Sequence, residues 1–393
     1  MYAVESIDNK MKLTGSRMNI KSFFAVEKVP PMFQGGQRDW SVDVLRCVSC
    51  FMVCAIHATD STVTTGIVSG FGLTDCMYHI VFRTILGSPT VLFVIVSGIF
   101  FLSPERHVTP KKIWKKNVLK MASAYVFWCL VYALVRIHYM DPQPEITIKL
   151  VIQEWMIQHS HLWYIPMIVT LYILAPIIRP ITATGDTRLF KYLIGVFIGG
   201  LCLWTLYYWP NLDCSETIII PLIDKTPMAT ICQYAFWMIF GWIAYTYRPK
   251  KPFRYFIYFM GLLAIAVGLY CNYINWDIEQ FTMQAVTQKF SIFIFFKNTA
   301  LFYFILTVFR DHTFSKFTKA FLRKLSDYTL IIYLFHYIPI LYLQYSGILW
   351  DHGVSPWLSV WITAVFAYVT GGIFAWLFHL CWDPIRAALF SNK

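Results

Sequence analysis

Apolar residues run along this chain in stretches of about 20, each long enough to cross a hydrocarbon layer as a helix. Ten such stretches occur, near 40–59, 78–102, 118–139, 162–178, 192–209, 230–247, 255–273, 291–309, 326–345 and 356–380. Short polar segments rich in Lys, Arg, Pro and Gly separate them, so the pattern predicts an all-α polytopic integral membrane bundle of about ten transmembrane helices. Residues 1–38 are polar, mixed in charge and contain Pro30-Pro31 and Gly35-Gly36. They read as a flexible cytoplasmic tail, 39–382 as one membrane domain and 383–393 as a short cytoplasmic tail. The first apolar stretch lacks a small-residue cleavage pattern and is expected to be retained rather than removed as a signal peptide. In the outer loop 140–161, Ile148, Leu150, Val151, Ile152 and Trp155 are interspersed with Lys149, Gln153 and Glu154, as in an amphipathic interfacial helix; an irregular cap is the alternative. No internal repeat of the kind found in many secondary transporters is visible.

Composition agrees with this pattern. The 393 residues are 58% hydrophobic and only 14% charged, whereas soluble domains are nearer one quarter charged. A net charge of +12 would suit nucleic acid, but its distribution argues otherwise. Of the 33 Lys and Arg residues, 25 fall in the N-terminal tail, in 103–117, 179–191, 248–254 and 310–324, and at the C-terminus, while Lys149, Lys225 and Lys289 fall on the opposite side. Positive residues stay cytoplasmic, which places both termini inside and makes the number of spans even. The ten cysteines sit mainly within the spans, with neither disulfide nor zinc-ribbon spacing. They read as small buried apolar residues, and no metal is expected.

Ionisable groups inside the spans mark candidate function, because lipid penalises them. Arg46 and His57 are eleven residues apart, about three turns, so both lie on one helix face about 16 Å apart along the axis. Arg46 is a permanent cation suited to anchoring phosphate or thioester oxygen, and Asp43, three residues earlier, is placed to orient it. His57 can take a proton from a hydroxyl and return it to a leaving group. In the second span, Pro89 opens backbone hydrogen bonds, and Ser97-Gly98 admits a close backbone or a ligand. The basic segment after it, with Lys115, Lys116 and Lys120, suits a phosphorylated donor or obeys the charge rule alone. His161, Trp163 and Tyr164 open the fourth span, where aromatic faces beside His and Ser suit a sugar as well as an interfacial belt. Tyr333 and His336 lie within the ninth, His336 about halfway across, where it either hydrogen-bonds a neighbouring helix or lines the cavity of His57. Arg136 is expected to reach the outer interface, whereas Arg83 and Lys297 are expected deeper, lining the cavity.

Four of these places together resemble the membrane-bound acyltransferase family 3, which includes bacterial O-acetyltransferases of surface polysaccharides and their lipid-linked precursors. They are Asp43-x-x-Arg46 with ten residues before His57, the segment from Pro89 to Ser97-Gly98, His161-Leu162-Trp163-Tyr164, and Tyr333-Leu334-x-His336. The resemblance implies a bacterial cytoplasmic membrane, an acyl-coenzyme A co-substrate, usually acetyl-CoA, arriving from the cytoplasm, and a sugar hydroxyl of a lipid-linked or polymeric glycan as acceptor. It also implies the family's first-helix roles for Arg46 and His57. One departure is that the basic segment is Lys-rich where relatives often show Arg. No extracytoplasmic hydrolase-like domain is read after the bundle, so transfer is expected within the membrane domain or through another protein. The expected mechanism holds coenzyme A on Arg46, Lys115, Lys116 and Lys120. His57 then deprotonates the sugar hydroxyl or forms an acyl-imidazole, and Ser97 or a tyrosine stabilises the oxyanion. Two other classes stay open: a transporter or flippase of a lipid-linked sugar or small anion, and a sensor or assembly partner without turnover.

Overall fold

A computed structural model describes residues 24–29, 38–68, 73–106, 109–140, 144–157, 160–207, 233–274 and 290–390. Most of the expected tail at 1–38, Lys225, Lys289, His159 and the end of the C-terminal tail lie outside the described residues. The helices are α1 (Trp40–Val68), α2 (Leu73–Leu86), α3 (Thr90–Phe101), α4 (Pro110–His138), α5 (Ile148–Met156), α6 (Tyr164–Ala183) and α7 (Thr187–Tyr207). After them come α8 (Tyr234–Thr246), α9 (Lys251–Ile274), α10 (Ile292–Phe309), α11 (Lys316–Phe335), α12 (Tyr337–Ser346) and α13 (Pro356–Phe390). Within the segment expected as a tail, β1 (Val26–Lys28) pairs antiparallel with β2 (Tyr247–Pro249), Glu27 opposite Arg248.

Eight helices among the described residues are long and apolar enough to cross a membrane, which makes this a membrane protein; ten such runs were expected. The differences have physical causes. Among the described residues of the sixth run, 13 are helical, in α8. The ninth begins ten residues early, in an amphipathic stretch carrying Lys316, Lys319, Arg323 and Lys324, and is interrupted at His336.

The second run is also broken rather than kinked. α2 ends at Leu86, α3 starts after Pro89, and Ser88 between them takes a φ of 60°. A helix interrupted in lipid must have its carbonyls satisfied by neighbours. Lys297 of α10 does so, its Nζ donating to Thr84 O at 2.9 Å and Gly87 O at 2.8 Å, while Asn298 Nδ2 donates to Ser88 O at 3.2 Å. The ammonium thus meets the negative end of the α2 dipole. This corrects the expectation that Lys297 lines a cavity.

α1 is the central element. It packs against α2, α3, α10, α11, α12 and α13, and 72% of its most apolar window is buried, against 28% for that of α7. α3 and α8 approach backbone to backbone: a Cβ on Gly98 would lie 1.9 Å from Met238 O, and one on Gly241 2.4 Å from Ile95 O. Small residues at such a crossing let helices pack without a hydrophobic driving force. Gly98 therefore serves a backbone, not a ligand.

The basic segments meet at one end of the bundle. Arg179 of α6 donates to Phe101 O and Arg106 O, and Arg248 lies beside Asp39 and Arg310. At the other end, the loop 140–161 contains α5, capped by the Thr147 hydroxyl. Ile148, Ile152 and Met156 face outward, whereas Glu154 turns inward to Arg136 at 3.0 Å. Trp155 Nε1 donates to Val126 O at 3.1 Å, so α5 runs back along α4. The chain beyond it then enters α6 through a 3-10 turn, Ser160–Trp163.

Candidate functional site

Arg46 projects from α1 into a cavity of about 290 Å³ between α1, α3, α4, α6 and α11. Its Nη2 donates to Thr329 Oγ1 on α11 at 3.3 Å. Asp43, although one turn away, does not orient it. The Asp43 carboxylate is bound bidentately by Arg38, Nε to Oδ2 at 2.6 Å and Nη2 to Oδ1 at 2.7 Å. That planar fork matches both carboxylate oxygens at once and leaves Arg46 to the cavity. The hydrogen bond to Asp43 raises the Arg38 guanidinium above its ordinary range. The orienting contact for Arg46 comes from Thr329 instead.

Ser97, Tyr164 and Tyr333, singled out in the sequence, line the same cavity. So do Arg106, Asn117, Tyr172 and Thr329, which were not. Lys115, Lys116 and Lys120 do not: all three are exposed, and Lys115 and Lys116 directly precede Asn117 on a π-helical turn, Trp114–Val118. One extra residue in that turn rotates Asn117 inward and the lysines outward. The cation at the cavity mouth is Arg106, which packs over the rings of Phe100 and Phe101 and donates to Phe100 O. Burial pulls its guanidinium below the ordinary value, and an arriving anion would offset that desolvation.

His57, three turns along α1, stands among aromatic rings. Its ring centroid is 5.3 Å from that of His336, 6.3 Å from His161 and 5.6 Å from Tyr337. His161 and His336 are 5.6 Å apart, and His161 stacks on Tyr337 at 4.6 Å. Three histidines from α1, the turn before α6, and the junction of α11 with α12 therefore converge. Distant pairing of this kind has no signature in local spacing.

His336 is completely buried. Its Nδ1 lies 2.6 Å from Tyr333 O, and because a carbonyl can only accept, Nδ1 carries the proton and Nε2 the lone pair. That Nε2 is buried without a hydrogen-bond partner among the described residues. Held in that one tautomer, the nitrogen keeps its lone pair free to accept a hydrogen bond from a hydroxyl.

Tyr333 forms the wall between the two groups. It lines the Arg46 cavity on one side, its ring is 5.7 Å from His336 on the other, and its hydroxyl donates to the His161 carbonyl. The cavity ends at Tyr333 and Tyr164, and none of the three histidines is part of its lining. Trp163, expected beside the substrate, is half-buried, packs on Tyr234 at 5.8 Å and is not part of the Arg46 cavity lining. Arg83 binds Asp60, a residue not singled out in the sequence.

The sequence model of the acyltransferase domain of acyltransferase family 3 matches residues 39–379, nearly the whole bundle. The chain belongs to that family and is a membrane acyltransferase. Neither the curated proteins nor the solved structures compared with it contain a match.

Proposed function

We propose that the protein is an O-acyltransferase that moves an acyl group, acetyl in the first instance, from cytoplasmic acyl-coenzyme A to a sugar hydroxyl of a surface polysaccharide or lipid-linked glycan. The setting is a bacterial inner membrane, with both termini on the cytoplasmic side. The observation that carries this reading is the pairing of a cationic cavity around Arg46 with three converging histidines three turns farther along the same helix.

Arg46 and Arg106 would hold the phosphates and thioester arm of the donor at the basic end. Rotation of Tyr333 out of the shared wall would open the passage from that cavity to the histidines. A sugar hydroxyl then gives its proton to an imidazole nitrogen of His57 or His336 while its oxygen attacks the thioester carbonyl. The tetrahedral oxyanion accepts from Ser97 or a tyrosine hydroxyl. As the C–S bond breaks, the thiolate recovers the proton from the imidazolium, leaving ester and thiol. An alternative in which His57 is first acylated balances in the same way. Arg46 is fixed by Thr329 rather than Asp43, whose carboxylate is occupied by Arg38.

Purified protein given acetyl-coenzyme A and a glycan acceptor should release free thiol. R46A and H57A should each reduce that release to background while still inserting into membranes. Full activity in either variant would refute the mechanism. Absence of thiol release from the wild-type protein, together with movement of a lipid-linked sugar across vesicles, would favour the flippase reading.

A further inference from the structure

A second polar group, unused by the mechanism above, lies just beyond the histidines. Asp60 follows His57 by three residues on α1, so it shares that helix face one turn farther from Arg46, within electrostatic reach of the His57 ring. Its Oδ1 forms an ion pair with Arg83 Nε of α2, 2.9 Å away, and lies 3.4 Å from His79 Nε2. Beside it Ser61 Oγ donates to Gln344 Oε1 of α12 at 2.9 Å, and the next residue, Tyr345, stacks on Tyr139 with ring centroids 4.3 Å apart. The Asp60 and Arg83 side chains are 34% and 39% exposed. Facing hydrocarbon, ionised groups with that much open surface would cost several kcal/mol. The space they open on therefore holds water or a polar ligand.

We propose that Asp60 and Arg83 are the acceptor-binding pair and that the acceptor they select is a neutral polyol. The proposal rests on the acyl-transfer reading. A carboxylate accepts O–H bonds and a guanidinium donates to hydroxyl oxygens, so the pair can hold two neighbouring hydroxyls of a pyranose ring. A further hydroxyl then falls one turn below, at His57. Tyr345, more than half exposed, offers an aromatic face to the apolar side of the ring. Asp60 neutralises Arg83, and the nearby Lys297 is turned away to the carbonyl end of α2. The site thus presents donors and acceptors with little net charge, which suits a neutral acceptor and offers an anionic one no unpaired cation among the described residues.

The test uses full-length protein with acetyl-coenzyme A, thiol release as readout, and matched soluble probes: methyl glucoside against methyl glucuronoside, and glycerol against glycerol 3-phosphate. The neutral member of each pair should show the higher kcat/KM. D60N and R83Q should each raise the KM of the neutral acceptor about tenfold, the loss of one charge-assisted hydrogen bond, with the acetyl-coenzyme A KM within twofold, and D60E should recover most of the loss. Should D60N not fold, Q344A, which removes the partner of Ser61 beside Asp60, carries the same KM split. A preference for the anionic probes, acceptor KM values unmoved by the variants, equal rises in donor and acceptor KM, or donor cleavage with no neutral polyol accepted would each overturn the proposal. A wild-type protein that releases no thiol with any probe defeats the acyl-transfer reading instead.

Discussion

Replacing Lys297 with Met tests whether a buried ammonium holds the broken second span together. Methionine matches the length of the side chain but offers no donor, so K297M leaves Thr84 O and Gly87 O without the bonds they accept at 2.9 and 2.8 Å. Each buried carbonyl stripped of its partner costs about 1–3 kcal/mol, giving a loss of about 2–6 kcal/mol for the pair. Relief of the ammonium's own desolvation opposes that loss, since the side chain is almost fully buried and an uncompensated buried charge is expensive. The carbonyl end of the α2 dipole already compensates it, so the expected net loss is about 3 kcal/mol, roughly 100-fold in the unfolding equilibrium. N298A, which removes one neutral hydrogen bond to Ser88 O, should cost about 1 kcal/mol. Unfolding in mixed micelles titrated with dodecyl sulfate and followed by tryptophan fluorescence measures both. Because α3 supplies Phe93, Val96, Ser97 and Phe100 to the cavity wall, K297M should also raise the KM for the acyl donor. A K297M protein as stable as the wild type, or more so, would show that desolvation outweighs the two bonds and that the break is held by packing.

Two further outcomes follow from the site and the helix crossing. R106Q should raise the KM for acetyl-coenzyme A about tenfold, the equivalent of one lost charge-assisted contact, whereas K115Q and K116Q should each change it less than twofold; donor titrations showing the reverse order would place the donor on the exposed lysines. G98V should yield little folded protein by size-exclusion chromatography, because its Cβ would sit 1.9 Å from Met238 O and backbone on backbone leaves no side chain to yield, putting the cost at or above the usual overpacking range of about 1–3 kcal/mol. Recovery of G98V at wild-type yield and stability would contradict the α3–α8 packing.

The parts of the site legible in the sequence are those whose chemistry is costly where it lies. Arg46, His57 and His336 stand out because ionisable groups are rare in apolar runs, and Ser97, Tyr164 and Tyr333 were carried by neighbouring motifs. Each lies in the Arg46 cavity or the histidine group. Tyr172, Thr329 and Asn117 carry no such signal, being ordinary residues in or beside apolar helices. Asp60 was detectable in principle, as an acid at the end of an apolar run three residues after His57, but it is only through Arg83 and His79 that it becomes part of a site. That Lys115 and Lys116 stand outside the Arg46 cavity, on a π-helical turn, was not legible, because an inserted residue in a turn leaves the composition unchanged.

Sequence alone determined that this chain folds as helices in a membrane and that one helix carries a cation and an imidazole on a single face. Both conclusions rest on local quantities: hydrophobic length against bilayer thickness, and rotation per residue. Tertiary structure alone decided which groups those helices bring together. Asp43 is taken by Arg38 and not Arg46, Lys297 seals a break in α2–α3 rather than lining a cavity, and Tyr333 divides the Arg46 cavity from the histidines. Each is a choice among competing partners distant in sequence. Such choices are settled by which side chain arrives with the better geometry once the helices have packed.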